Sequence, residues 1–232
     1  MKYRLPVIEQ HVFRDGDFVG GDLVLDFVNT VTGRNGRPRD WIASFAALAD
    51  WAVVAGLLPA RRCERLKNLA QHAPAEATSA LEAARDLREI LFRVLTDVIS
   101  SRNPSAADLK GLHHYWSRGV EQHMLRPVLG AIALVPLWSP AALNGIADVL
   151  AVRSVDLFRE LSGSRVRLCA GPNCAWLFID SSKAGRRRWC DMATCGNDAK
   201  ARRHYYSKRR LSVRNVRKRI RPSQLRTRGH PS

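Results

Sequence analysis

Cys169-Ala-Gly-Pro-Asn-Cys174 and Cys190-Asp-Met-Ala-Thr-Cys195 are two C-x4-C segments separated by fifteen residues. Each segment is a tight turn whose two thiolates can close on one metal. Fifteen residues are enough for a short hairpin that returns the second pair beside the first. Four sulfurs fill a tetrahedral shell and leave no position for a reacting water, so the expected ion is one structural zinc per chain, held by Cys169, Cys174, Cys190 and Cys195. Zinc binding is worth on the order of 10–16 kcal/mol in small modules, enough to fold a segment this poor in core residues. Two disulfides, or four unconnected buried thiols, are the alternatives. The fifth cysteine, Cys63, stands alone in a helical run and suits a buried thiol in a reducing compartment.

The charge is concentrated in the same region. Residues 165–232 hold nineteen Lys and Arg against three acidic residues, a net of +16, which leaves +1 for residues 1–164. Such a segment is a ligand for an anionic polymer, joined to an ordinary near-neutral domain. A lipid surface would call for a wide apolar helix face. The stretch from Lys208 to Arg228 offers only Leu211, Val213, Val216, Ile220 and Leu225 spaced among arginines. Nucleic acid is therefore the expected partner, and no membrane. The longest apolar run, Val128 to Trp138, is too short to span a bilayer. With no leader-like apolar segment at the start, a cytoplasmic protein is expected.

Ahead of the basic region, Leu23-Val-Leu-Asp-Phe-Val-Asn-Thr-Val31 is a strongly apolar run between glycine pairs, and it reads as a buried strand. Asp26 and Asn29 within it need buried partners. Those are either turns and neighbouring backbone or a small-molecule effector in a pocket. Asp40 reads as the N-cap of a helix over 41–55 stopped by Gly56, and Pro59 opens a second helix. A longer helix over 75–100 puts Leu81, Ala84, Leu87, Leu91, Val94, Leu95 and Val98 on one side, with Glu82, Arg85, Asp86, Glu89 and Arg93 opposite. Ser105 to Asp108 is a capping box, and Ser139 with Pro140 starts a last helix ending at Gly163. Strands are expected over 120–125 and 131–137, and the adjacent His113 and His114 read as surface or packing residues. No nucleotide loop, nucleophile elbow or metal triad occurs here, so the chain is not expected to be an enzyme.

Within the basic region, strands are expected at Arg165 to Leu168 and Ala175 to Asp180, with Arg186 to Trp189 returning the chain and a helix over 197–211. Trp176, Phe178 and Trp189 read as a miniature core. Turn, hairpin and helix make a treble-clef plan. The cysteine pairs, the Leu177-Phe-Ile-Asp180 strand, Arg187-Arg-Trp-Cys190, Met192, Cys195-Gly-Asn197, Lys200 and Tyr205-Tyr206 resemble the CGNR zinc-finger family over about 45 residues. The Leu-Asp-Phe-Val-Asn-Thr-Val run and the helix end at Trp51 to Leu58 are similar to the ABATE domain, that family's usual N-terminal partner. The resemblance implies a bacterial, stress-induced transcription regulator with a sensor domain first and a DNA-binding finger second. One position departs from the signature: its fourth letter is Asp198 instead of Arg, a carboxylate that can pair with Arg202 one turn on and that repels phosphate.

The expected fold is α+β: a mainly helical domain with a small sheet (1–162), a treble-clef-like finger (163–212) and a disordered basic tail (213–232). The expected function is DNA-binding regulation through Arg186, Arg187, Arg188, Lys200, Arg202, Arg203, Lys208, Arg209 and Arg210, with an effector on the first domain at Asp26 and Asn29. Because regulators often double their half-sites, a homodimer is also expected. The alternative is an RNA- or ribosome-associated zinc protein. Replacing Cys190 by Ser is expected to cost the finger its fold while the first domain stays folded.

Overall fold

In the computed structural model, residues 5–138, 142–161, 165–206 and 208 are described. The fold is α+β, as the sequence predicts. Strand β1 (Val7–Ile8) leads to helix α1 (Leu23–Val28), β2 (Val31–Thr32) and β3 (Arg39–Asp40), followed by α2 (Phe45–Val54), α3 (Ala60–His72), α4 (Pro74–Ile99) and α5 (Ala106–Glu121). A hairpin of β4 (His123–Val128) and β5 (Ala131–Pro136) precedes α6 (Gly145–Leu161), and β6 (Val166–Leu168) with β7 (Leu177–Ile179) forms the last hairpin. Among the described residues, no helix is long and apolar enough to cross a membrane.

The run from Leu23 is a helix, not the expected strand. Asp22 caps it, its side chain accepting from Val24 N at 2.8 Å and Leu25 N at 3.4 Å, which satisfies amides that would otherwise be orphaned at the first turn. Val24, Leu25, Phe27 and Val28 are all buried. Surrounded on every side, this short helix shows no amphipathic period for a sequence reading to find.

Asp40 is a strand residue and not a helix cap; Ser44 caps α2, accepting from Ala47 N at 3.1 Å. The Asp40 carboxylate takes both ends of the buried Arg88 guanidinium, at 2.8 and 2.6 Å, and Arg88 also donates to Thr30 Oγ1 at 3.0 Å. This bidentate pair ties α4 to β3 and to the end of α1. Gly56, at φ +72, ends α2 in the left-handed conformation, and Pro59 precedes α3, both as expected.

Helix α4 runs through the centre. Ala84, Leu87, Leu91, Val94 and Leu95 are buried, whereas Val98 is exposed near the helix end. The polar side is an interface between elements: Arg85 donates to the Ile42 carbonyl, Asp86 accepts from the Tyr115 hydroxyl, and Arg93 pairs with Asp108. Ser105 caps α5 as expected, and His113 and His114 lie at the surface. Residues 120–122, expected as strand, complete α5 and its cap, so β4 starts only at His123. Leu129 and Gly130 close the β4–β5 hairpin with φ of 48 and 81, the two positive angles that suit the twist of a two-residue turn. The expected helix start at Ser139 and Pro140, its end at Gly163, and the tail from 213 lie outside the described residues.

The finger is not a separate globule. Val166 and Leu177, from its two strands, belong to the same buried cluster as Leu25, Trp51, Leu91 and Ile146.

Candidate metal centre

Strands β6 and β7 pair antiparallel with Val166 opposite Ile179 and Leu168 opposite Leu177, and Cys169 N donates to the Trp176 carbonyl at 2.8 Å. The chain therefore turns sharply between Cys169 and Cys174. The second cysteine turn starts at Asp191, whose carboxylate accepts from Thr194 N at 2.8 Å and Thr194 Oγ1 at 2.9 Å. One π-helical turn, Met192–Gly196, carries Cys195 and runs into a helix over 197–206. The segment expected to return as a strand, Arg186 to Trp189, forms none. It is pinned by Ala170 N donating to the Arg188 carbonyl at 2.8 Å and Arg187 N donating to Asp180 Oδ2 at 2.8 Å.

All four sulfurs lie within 4.8 Å of one another, with Cys174 to Cys190 at 3.7 Å and Cys190 to Cys195 at 3.8 Å. A tetrahedron with metal–sulfur arms of about 2.3 Å has edges of about 3.8 Å, so these sulfurs fit a shared ion. None of the four is in a disulfide. Cys169 Sγ accepts from the Gly171 and Cys190 amides, each at 3.4 Å. The Cys174 and Cys190 thiols and these amides hold its pKa far below that of an ordinary thiol, while burial and the neighbouring Cys169 sulfur push Cys195 up. Four thiolates this close require a cation to ionise together. A Cβ at position 171 would lie 3.0 Å from Cys195 Sγ, so glycine there lets the two turns approach.

Around the sulfurs, Phe178 is buried with Trp176 and Trp189 packed against the cluster, the miniature core expected from the sequence. Asp180 is buried and accepts from Ser182 Oγ at 2.6 Å; that bond and the Arg187 amide hold its carboxyl below the usual range.

The basic residues divide into two groups. Arg186, Arg188, Lys200, Arg202, Arg203 and Lys208 are exposed. Arg187 instead turns inward: its guanidinium lies 4.9 Å from the Phe178 ring centroid and donates to the Cys190 carbonyl. Arg202 pairs with Asp198 at 3.4 Å, as the spacing predicts. Arg209 and Arg210 lie outside the described residues.

A polar seam, absent from the sequence reading, fastens this centre to the helical domain. Asn29 Nδ2 donates to the Leu177 carbonyl and Leu177 N donates to Asn29 Oδ1, both at 2.8 Å. Ile179 N donates to the Gly20 carbonyl at 2.8 Å, while Gly20 N donates to Asp26 Oδ1 at 2.7 Å. Burial pushes the Asp26 pKa up to about 7, against the pull of the Gly20 amide. Both residues expected to contact an effector are thus engaged with backbone in this seam. The first cysteine turn rests on the 33–36 loop: Arg34 N donates to the Cys174 carbonyl and Asn35 Nδ2 to the Gly171 carbonyl. Arg34 is itself fixed by Glu89, at 2.6 and 2.9 Å, and by the Phe92 ring, 4.1 Å away. Only turn-forming glycines mark that loop in the sequence.

Residues 21–160 match the family model of ABATE, described as "putative stress-induced transcription regulator". The chain belongs to the ABATE family. Residues 165–219 match the CGNR zinc finger, which covers the four cysteines and the basic helix. The seam therefore joins an ABATE domain to a CGNR finger. No curated protein matches the chain.

Proposed function

We propose that the chain is a DNA-binding transcription regulator of the bacterial cytoplasm, a binding protein and not an enzyme. In this reading one zinc ion occupies the four-cysteine cluster, and a small-molecule effector acts on the ABATE domain. The observation that carries it is the placement of Lys200, Arg202, Arg203 and Lys208, all exposed, on the helix that leaves the second cysteine turn, with Arg186 and Arg188 exposed on the segment that enters it. The cysteine turn at 190–195 lies between these two basic segments, so a metal held there would fix both. The near tetrahedral spacing supports zinc as the ion, since it accepts four thiolates without geometric preference of its own.

Zinc has a folding role here and none in chemistry, because four sulfurs leave no open coordination position. The exposed guanidinium and ammonium groups neutralise phosphates. Arg187 contributes by holding the Cys190 carbonyl against Phe178 and makes no phosphate contact. Asp198 draws Arg202 back along the helix and reduces what its first turn offers to DNA.

Fluorescence anisotropy on random duplex DNA and on structured RNA tests the reading. If six to ten phosphates are neutralised, affinity falls by about 10³–10⁵ between 50 and 200 mM salt. A flat salt dependence refutes the reading. Preference for structured RNA over duplex would move the chain to RNA recognition.

A further inference from the structure

A cavity of about 770 Å³ opens between α5, α6 and the β4–β5 hairpin. Small-molecule sites enclose about 300–1,000 Å³, and this cavity is mixed in character, its apolar walls sharing the lining with His123, Arg153 and the Asp156–Arg159 ion pair. The indoles of Trp116 and Trp138 and the side chains of Val149 and Val152 supply flat and aliphatic surface. Trp138 is held in place from α3, its carbonyl accepting from Arg62 Nη1 at 3.0 Å with the guanidinium 5.2 Å from its ring. At the mouth stands Arg153, exposed and without an ion pair among the described residues.

Two indoles favour a flat aromatic body, and an uncommitted guanidinium at the rim favours a carboxylate. The cavity also touches both elements that carry the finger. Leu23, the first residue of α1, lines it, and the other end of the same short helix holds Leu177 through Asn29. Val149 to Arg159 of α6 line it too, and that helix ends just ahead of β6. We infer that this cavity is a site for a planar aromatic carboxylate, and that occupancy repositions the finger through α1 and α6. The inference rests on the reading of the chain as a regulated DNA-binding protein. A ligand shifts the finger only as far as its affinity differs between two arrangements of these helices.

Isothermal titration of the full zinc-loaded chain with 2-naphthoate, 2-naphthamide and cyclohexanecarboxylate tests the site. One 2-naphthoate should bind per chain, with the uncharged amide and the non-aromatic acid each at least tenfold weaker. Arg153→Gln, at an exposed position, should weaken 2-naphthoate at least fivefold and leave the amide unchanged; Trp116→Leu should weaken both aromatic probes. Absence of 1:1 binding, or equal 2-naphthoate affinity in the parent and Arg153→Gln, overturns the site. A second arm measures duplex DNA affinity with and without saturating 2-naphthoate. A threefold or larger shift in the parent, lost in Arg153→Gln, supports transmission, and an unchanged affinity overturns it. Binding of 2-naphthoate by a chain indifferent to DNA would keep the site and refute the regulator reading; DNA binding without 2-naphthoate binding would do the reverse.

Discussion

Replacing Asn29 by Ala cuts the seam at its most buried point. The Asn29 amide makes two 2.8 Å hydrogen bonds to the backbone of Leu177, a residue that is itself fully buried. Truncation leaves the Leu177 N–H and C=O without partners, in a place where water does not reach them. At about 1–3 kcal/mol for each orphaned group, the loss is about 2–6 kcal/mol, towards the lower end where the strand can relax to admit water. Guanidinium unfolding of the zinc-loaded chain, followed by tryptophan fluorescence, measures it, since Trp51 lies in the ABATE core and Trp176 beside the cysteine cluster. The expected result is a lower midpoint, or separation into two transitions in which the finger leaves first. Asn29→Asp keeps the acceptor and loses the donor while burying a charge, so it should be at least as damaging. A loss below about 0.5 kcal/mol for Asn29→Ala, the range of ordinary surface substitutions, would refute the claim that this residue fastens the finger to the helical domain.

Three further substitutions probe other parts of the account. Arg88→Met takes the bidentate partner from the buried Asp40 carboxylate, leaving it the Ile42 amide and the longer 3.4 Å contact to Arg85, and should cost about 3 kcal/mol in the same unfolding assay, whereas a neutral effect would mean the pair is dispensable. Asp26 holds a proton up to about pH 7 when folded and loses it near its ordinary value of 3.8 when unfolded, so stability should fall as pH rises between these values. Asp26→Asn should remove that slope, worth up to about 4 kcal/mol, and stabilise the protein at pH 8; an unchanged pH profile contradicts this. Asp198→Asn releases Arg202 and removes a carboxylate from the helix start, so DNA affinity should rise and its salt dependence steepen, with unchanged binding as the contrary result.

What the sequence revealed follows from the kind of force involved. Helices α3 and α4 were legible because apolar residues recur at helical spacing, and α3 has a proline before it. Cysteine spacing was legible because a metal demands its ligands at short intervals on tight turns. Helix α1 was not, since a six-residue element surrounded by core has no period to display, although Asp22 ahead of Leu23 was a usable cap signal. Asp40 misled because a carboxylate before an apolar run serves equally as a cap or as the partner of a distant arginine, and nothing near it in the chain marks Arg88. The seam was invisible for the same reason: Asn29 and Leu177 are 148 residues apart. That contact lies beside Val166 and Leu177, which share the buried cluster of the helical domain. Arg187, counted among phosphate contacts from its basic neighbours, is turned inward by Phe178.

On the proposed reading, four sulfurs from two turns fifteen residues apart share one ion and so give the basic helix its place. Cobalt(II) titration of the reduced, metal-free full chain, followed by its visible spectrum, tests this most directly. One equivalent should bind with the intense ligand-field bands of a tetrahedral tetrathiolate site, and one equivalent of zinc should displace it. A weak octahedral spectrum, or a spectrum unchanged by Cys195→Ser, would contradict the account.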